Sequence, residues 1–337
     1  MQKRKQRRSR LTLIISVLLT LGMILYLVVN LDWQASAAVL LNANWGWLAL
    51  SFIVYSMGYV LRTVRFQQLA YTQPLPFLPL LSVTGLYGMF NYLLPAKTGE
   101  VSYVLLVNRR LHISLVESAT TLVVSRFFDF VTVALFLPVV LAPFWVRMPS
   151  WMRYSSVSFI VLSLIGGGIF FSLLGRRAAP ITRPASRRGW AGKIEKTLVE
   201  LVNSLITIQQ RRQNLRMLLL TVGIWLCIYT NFYLVVRGLG YPMNFPQAVI
   251  VSAVMVPMTL LPFQGFANLG THEVGWVAAF TLMGYSDVDA LNIAVGSHVI
   301  LLLFVLLLGG LSLLLQWAAG PVDPTSKPSK NLPLKPS

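Results

Sequence analysis

Carboxylates are scarce in this chain. Ten Asp and Glu stand among 337 residues, against 28 Lys and Arg, and charged residues of both signs make up only 11%. A soluble domain carries roughly 25%, so a water-exposed globular surface is excluded. There is one cysteine, Cys227, which excludes a disulfide framework and a thiolate metal site; inside an apolar run it reads as packing. No Gly-x-x-x-x-Gly-Lys-Ser/Thr loop is present to cradle ATP phosphates. His272-Glu273 is followed by Trp at 276, so the zinc-protease pattern His-Glu-x-x-His is not met. Alternating ten-residue strands, the mark of an outer-membrane barrel, are also missing. No cofactor and no metal site is expected from these patterns.

What is there is apolar length. Hydrophobic residues make up 56% of the chain, and the mean hydropathy is +0.69. Six runs approach or exceed the roughly 20 residues that cross a hydrocarbon core: Leu11–Leu31, Trp45–Leu61, Ala119–Val146, Val157–Leu174, Leu215–Val236 and Leu291–Trp317. The fold class is an all-α polytopic membrane protein of about six full spans. The first run, behind MQKRKQRRSR, is too long for a signal-peptide core and reads as an uncleaved span.

Basic blocks set the topology. Six basic residues lie in the tail 1–10, ten between Arg176 and Arg216, and three lysines after Gly320. The positive-inside rule places such blocks in the cytoplasm, where they also attract anionic lipid. Nucleic acid is not an expected partner, because no nucleic-acid motif accompanies them. This assignment holds only if the chain passes an even number of times through 77–111. A helix Phe77–Leu94, a break at Pro95–Gly99 and a short return limb supply that parity as a re-entrant hairpin. A second broken hairpin follows over Phe245–Tyr285, with Pro262, Gly265 and Gly270 as its breakers. Proline and glycine interrupt helices, and irregular backbone survives at membrane depth only when enclosed by protein or lining a wet cavity.

The chain therefore divides into a basic cytoplasmic tail (1–10), a first membrane half (11–146), a second half (147–319) and a Pro/Ser/Lys-rich tail (320–337) expected to be disordered. Each half reads span, span, broken hairpin, span, which suggests an inverted repeat; interrupted segments at matching positions point to a carrier's binding site. The second half carries an amphipathic helix over 193–213, with Ile194, Leu198, Leu201, Val202, Leu205 and Ile208 on one face. It either lies in the cytoplasmic interface or covers the bundle.

Five charges fall at membrane depth: Lys97 and Glu100 in the first hairpin, Glu273 in the second, and Arg126 with Asp129 in the third span. Each would cost roughly 2.5–3.5 kcal/mol unpaired. Arg126 and Asp129, three apart on one face, read first as an ion pair and second as a phosphate site. Glu100 and Glu273 each open a half-helix, either as a cap or as a gating or proton-accepting group. His272 and His298 are lesser candidates for the same cavity, with packing favoured for His298. Asp287-Val-Asp289 resembles a metal-binding pair but sits where an acidic helix start belongs.

The ordered set Pro95-x-Lys97-x-Gly99-Glu100, Arg126-x-x-Asp129 and Pro262…Gly265…Gly270-x-x-Glu273 resembles the lysylphosphatidylglycerol synthase transmembrane family, the flippase-like domain of the multiple peptide resistance factor. The resemblance covers nearly everything between Leu11 and Trp317. It implies a multi-pass cell-membrane protein that translocates or presents an anionic lipid: a phospholipid, an aminoacyl-phospholipid or a polyprenyl-linked lipid. Lys97, Glu100, Arg126, Asp129 and Glu273 would be its functional set. Ser125 stands where an acidic residue often precedes the arginine, and Phe263–Asn268 (FQGFAN) replaces a simpler Pro-Gly-Gly run. Without an aminoacyl-transferase domain, synthesis of the aminoacyl lipid is not expected. Two other readings stay open: a membrane transferase acting on a lipid-linked substrate, and a non-transporting partner of a separately encoded synthase or glycosyltransferase.

Overall fold

The computed structural model describes residues 2–95, 98–146, 148–173, 190–211, 213–259 and 264–319. Lys97, Pro262, the arginines between 176 and 188, and the 320–337 tail lie outside the described residues. Those described form an all-α membrane protein. The helices are α1 (Gln2–Asn30), α2 (Trp33–Leu41), α3 (Trp45–Leu69), α4 (Phe77–Leu93), α5 (Thr98–Leu111) and α6 (Leu115–Leu141), then α7 (Ser150–Leu173), α8 (Trp190–Gln210), α9 (Asn214–Gly238), α10 (Phe245–Thr259), α11 (Thr271–Leu282) and α12 (Asp287–Ala319). Five are long and apolar enough to span a membrane, and α1 with α2, bent by 94°, is a sixth candidate.

Two local differences from the sequence reading have clear causes. The segment 32–44, expected as a loop, contains α2: Asp32 caps it by accepting from the Ala35 amide at 2.9 Å, and Ser36 donates to Asn292 of α12 at 2.7 Å. The second span, expected to end at Leu61, continues to Leu69. It carries Arg62 and Arg65 within the helix, because Arg65 finds a carboxylate on a neighbouring span.

Both broken hairpins are made of short helices. At 1.5 Å per residue, α4 is about 25 Å long and α5 about 21 Å, below the ~30 Å hydrocarbon thickness. The chain turns over at Pro95, whose carbonyl accepts from the Thr98 amide at 3.2 Å and from its hydroxyl at 2.8 Å. The limbs then run back along each other, with Tyr87 and Tyr103 rings 5.4 Å apart over a core of Leu80, Val83, Val107 and Leu111. Gly99 is not the breaker it was expected to be. It lies inside the first turn of α5, where a Cβ would come within 2.2 Å of the Asn91 Cα. Its missing side chain lets the limbs touch.

Element order repeats. The first six helices and the last six each run span, connecting helix, span, half-helix, half-helix, span. Packing repeats as well: α2 rests on α12 as α8 rests on α6, and α3 meets α4 as α9 meets α10. The counterparts α3 and α9 lie against one another, where a Cβ on Gly58 would sit 3.5 Å from the Cys227 Cβ. Small residues also bring α4 close to α12, where a Cβ on Gly85 would strike the Ser312 hydroxyl and one on Gly309 would strike Met89.

The amphipathic helix α8 packs on α6 of the bundle. Ile206 and Ile208 are buried, Tyr71 and Ser204 hydroxyls meet at 2.5 Å, and Leu198, expected on the apolar face, is exposed. The loop after α3 is anchored by buried Glu117, which accepts from the amides of Tyr71 at 2.7 Å and Thr72 at 3.0 Å and from the Thr72 hydroxyl at 2.6 Å.

Gly99→Ala should force the hairpin limbs apart and destabilise the protein by about 1–3 kcal/mol, the usual cost of overpacking. Gly22→Ala, with open space around it, should leave stability unchanged or slightly raised. Thermal unfolding of the two variants in detergent checks the contrast.

Candidate functional site

The two breaks place their charges in the same register. Glu100 is the third residue of α5 and Glu273 the third of α11; each is followed by valine. Arg126 is the twelfth residue of α6 and His298 the twelfth of α12, and each follows a serine. In both halves the carboxylate that opens the second half-helix is joined to a basic side chain on the following span.

In the first half, Arg126 Nε donates to Glu100 Oε1 at 3.1 Å, and its Nη2 donates to the Tyr87 hydroxyl at 2.8 Å. The expected Arg126–Asp129 pair is the weaker contact, 3.8 Å. Asp129 belongs instead to Arg65: Nη1 donates to Oδ1 at 2.7 Å and Nη2 to Oδ2 at 3.3 Å, while Nη1 also reaches the Thr221 hydroxyl at 3.0 Å. A two-pronged guanidinium–carboxylate contact thus ties α3, α6 and α9 together. Sequence spacing favoured the local partner; only packing brings Arg65 of another helix closer. Its position within an extended second span was the available signal.

In the second half, Glu273 serves as a cap and as the hydrogen-bond partner of His298 at once. Its Oε2 accepts from the Gly270 amide at 2.7 Å, where Gly270 adopts φ +88°, and its Oε1 meets His298 Nδ1. His298, expected to be packing, is therefore the partner of Glu273. His272 Nε2 lies 3.1 Å from the Ser297 hydroxyl, its ring stacked on Trp276 at 5.0 Å. Tyr92, near the end of α4, presents its ring edge-on to His298 at 5.9 Å, so the first hairpin reaches the second pair directly. Of the remaining breakers, Pro95 lies in the first turn, and Gly265 precedes a short 3-10 turn over Phe266–Asn268.

The matched pairs differ in exposure. Glu100 and Arg126 side chains are 31% and 37% exposed, whereas Glu273 and His298 are 3% and 7% exposed. The first pair opens on a cavity of about 500 Å³, within the 300–1,000 Å³ of small-ligand sites; the second is sealed behind His272. The cavity lies between the breaks, taking Glu100, Arg126 and Asp129 from the first half and Gln264, Asn268 and His272 from the second.

Two features of its wall escape sequence reasoning. Arg62 lines the cavity with its guanidinium 4.9 Å above the Tyr59 ring, and among the described residues it has no carboxylate partner. Tyr92 Oη, Trp225 Nε1, Ser252 Oγ and Trp276 Nε1 belong to lining residues, are buried, and lack a hydrogen-bond partner. Each such group costs about 1–3 kcal/mol. Asp289 and the Ser286 hydroxyl hydrogen-bond each other at the start of α12. Among the described residues no group of three or more His, Cys, Asp or Glu is placed to hold a metal.

Compared with known families, residues 13–309 match the family described as the lysylphosphatidylglycerol synthase TM region. No curated protein and no solved structure matches the chain significantly.

Arg65→Met should cost about 3–5 kcal/mol, because it leaves the Asp129 charge buried without its principal partner. The double variant Arg65→Met/Asp129→Leu should recover most of the loss. Thermal unfolding of wild type, single and double variants measures this; an Arg65→Met protein as stable as wild type would contradict it.

Proposed function

The chain belongs to the lysylphosphatidylglycerol synthase transmembrane family, and from that premise we propose that it moves an anionic lipid across the cell membrane, the headgroup passing through the cavity between the two helix breaks. Membership makes it a membrane protein of lipid handling; translocation is the step proposed. The observation that carries it is the open Glu100–Arg126 pair at the cavity wall, matched by a sealed Glu273–His298 pair at the same register of the other half.

The physical logic is differential exposure. An anionic headgroup cannot cross hydrocarbon at tolerable cost, but acyl or prenyl chains can remain in lipid while the headgroup sits in a polar chamber. Arg126, with Lys97 of the same hairpin, contacts phosphate; Glu100 holds the arginine until phosphate competes for it. Halves of one design with unequal exposure provide two states of similar energy. When the second pair opens and the first seals, the chamber faces the other leaflet. In this reading the N- and C-termini are cytoplasmic, the basic segments lie against anionic lipid, and a separately encoded synthase or glycosyltransferase supplies or consumes the cargo. An ion gradient or removal of the product sets direction.

Reconstitution into liposomes with fluorescently labelled phosphatidylglycerol tests the proposal. Wild type should accelerate transbilayer movement over empty vesicles. Glu100→Gln should slow it about tenfold or more, as expected for loss of a charge-assisted bond of about 1.5–3 kcal/mol. Glu273→Gln should slow it as well, because the sealed state loses its pair. Wild-type vesicles that move label no faster than protein-free ones would end the proposal.

A further inference from the structure

We propose that the headgroup taken by this cavity is an uncharged, hydroxyl-rich group joined to its lipid through a phosphodiester, and that Arg62 is the first residue to hold its phosphate, before Arg126 is released from Glu100. This rests on the reading of the cavity as a lipid-headgroup site.

The argument is one of valence. Two carboxylates line the cavity, and both are engaged: Glu100 by Arg126, and Asp129 by Arg65 with Arg126 nearby. Glu273 stands behind the wall, occupied by His298 and the Gly270 amide. Among the described residues, no carboxylate lining the cavity is left to receive an ammonium, as an aminoacylated headgroup would require. Of the lining cations, Arg126 is held by Glu100, whereas Arg62 has only the face of Tyr59. A guanidinium stacked on a ring keeps its edge donors free, and that edge suits phosphate oxygens. Among the described lining residues, one unmatched positive charge matches one phosphodiester, a monoanion.

The unsatisfied groups define the rest of the ligand. Trp225 Nε1 and Trp276 Nε1 are donors only, and the hydroxyls of Tyr92 and Ser252 can donate or accept. All four lack partners, and the residues that carry them come from α4, α9, α10 and α11. Ser252 and Trp276 are buried to 3% and 0% exposure. The four atoms themselves are out of contact with the cavity as it stands; once their side chains turn toward it, an oxygen-rich group such as glycerol, inositol or a hexose would satisfy several of them at once. The flat faces of Trp225 and Phe232, both in the lining, suit the C–H face of a polyol or sugar. An alkylammonium chain would leave the indole donors unpaired.

Equilibrium binding to the purified full-length chain in detergent, followed by tryptophan fluorescence, tests the inference. The probes are short-chain phosphatidylglycerol, phosphatidylinositol, farnesyl-phosphoryl-hexose, lysyl-phosphatidylglycerol and phosphatidic acid. The first three should bind at least about fivefold more tightly than the last two. The better of the glycerolipid and prenyl arms identifies the source of the phosphodiester. Arg62→Gln should weaken all three favoured ligands about tenfold or more without lowering the unfolding temperature. Trp225→Phe, which keeps the ring and removes the donor, should weaken those three and leave phosphatidic acid unchanged. Tightest binding by lysyl-phosphatidylglycerol, equal binding by all five, or unchanged affinity in Arg62→Gln would each overturn the headgroup assignment. If none of the five binds, the cavity is not a lipid-headgroup site, and the reading beneath this one falls instead.

Discussion

Charge inside hydrocarbon must be answered by opposite charge or by aligned dipoles, because water is not there to do it. In this molecule that constraint dictates how the pieces meet. Glu100, Asp129 and Glu273 reach Arg126, Arg65 and His298 on other helices, and buried Glu117 is held by amides of the loop after α3. The Glu100–Arg126 and Glu273–His298 contacts cannot form unless the broken hairpins lie against the long spans. The pairs are therefore what holds irregular backbone within the bundle, as well as chemistry displayed by it.

The repetition of one arrangement in both halves gives this constraint a functional form. A carboxylate at the start of a half-helix is favoured there by the helix dipole, and a basic side chain at the twelfth position of the following span meets it. The first half uses arginine and leaves the pair open to the cavity; the second uses histidine and seals it. Two versions of one lock, set differently, are what alternating exposure requires. The open lock sits beside a wall of aromatic rings with unfilled hydrogen-bond capacity, so capture and recognition share a chamber.

Much of this was legible in residue order. Apolar runs and basic blocks led to the spans, and the need for an even number of passes through 77–111 led to the first broken hairpin. Other residues were read differently because their meaning depends on distant partners. Asp129 was matched to Arg126, its neighbour on one helix, although Arg65 lies 2.7 Å away across a helix interface. Gly99 looked like a helix breaker and proves to be a close-contact position inside α5. His298 looked like packing because only its register from the helix start, shared with Arg126, marks it as the partner of Glu273. Arg62 drew no attention because a positive charge near a span end usually reports topology.

What the sequence alone determined is the solvent of this protein and the places where its helices stop, since both follow from local quantities: apolar length, charge density, proline and glycine. Only the tertiary structure decided which charges answer one another, which cation remains free and which donors remain unpaired. Those are properties of distance between segments far apart in the chain, and composition and spacing carry no measure of that distance.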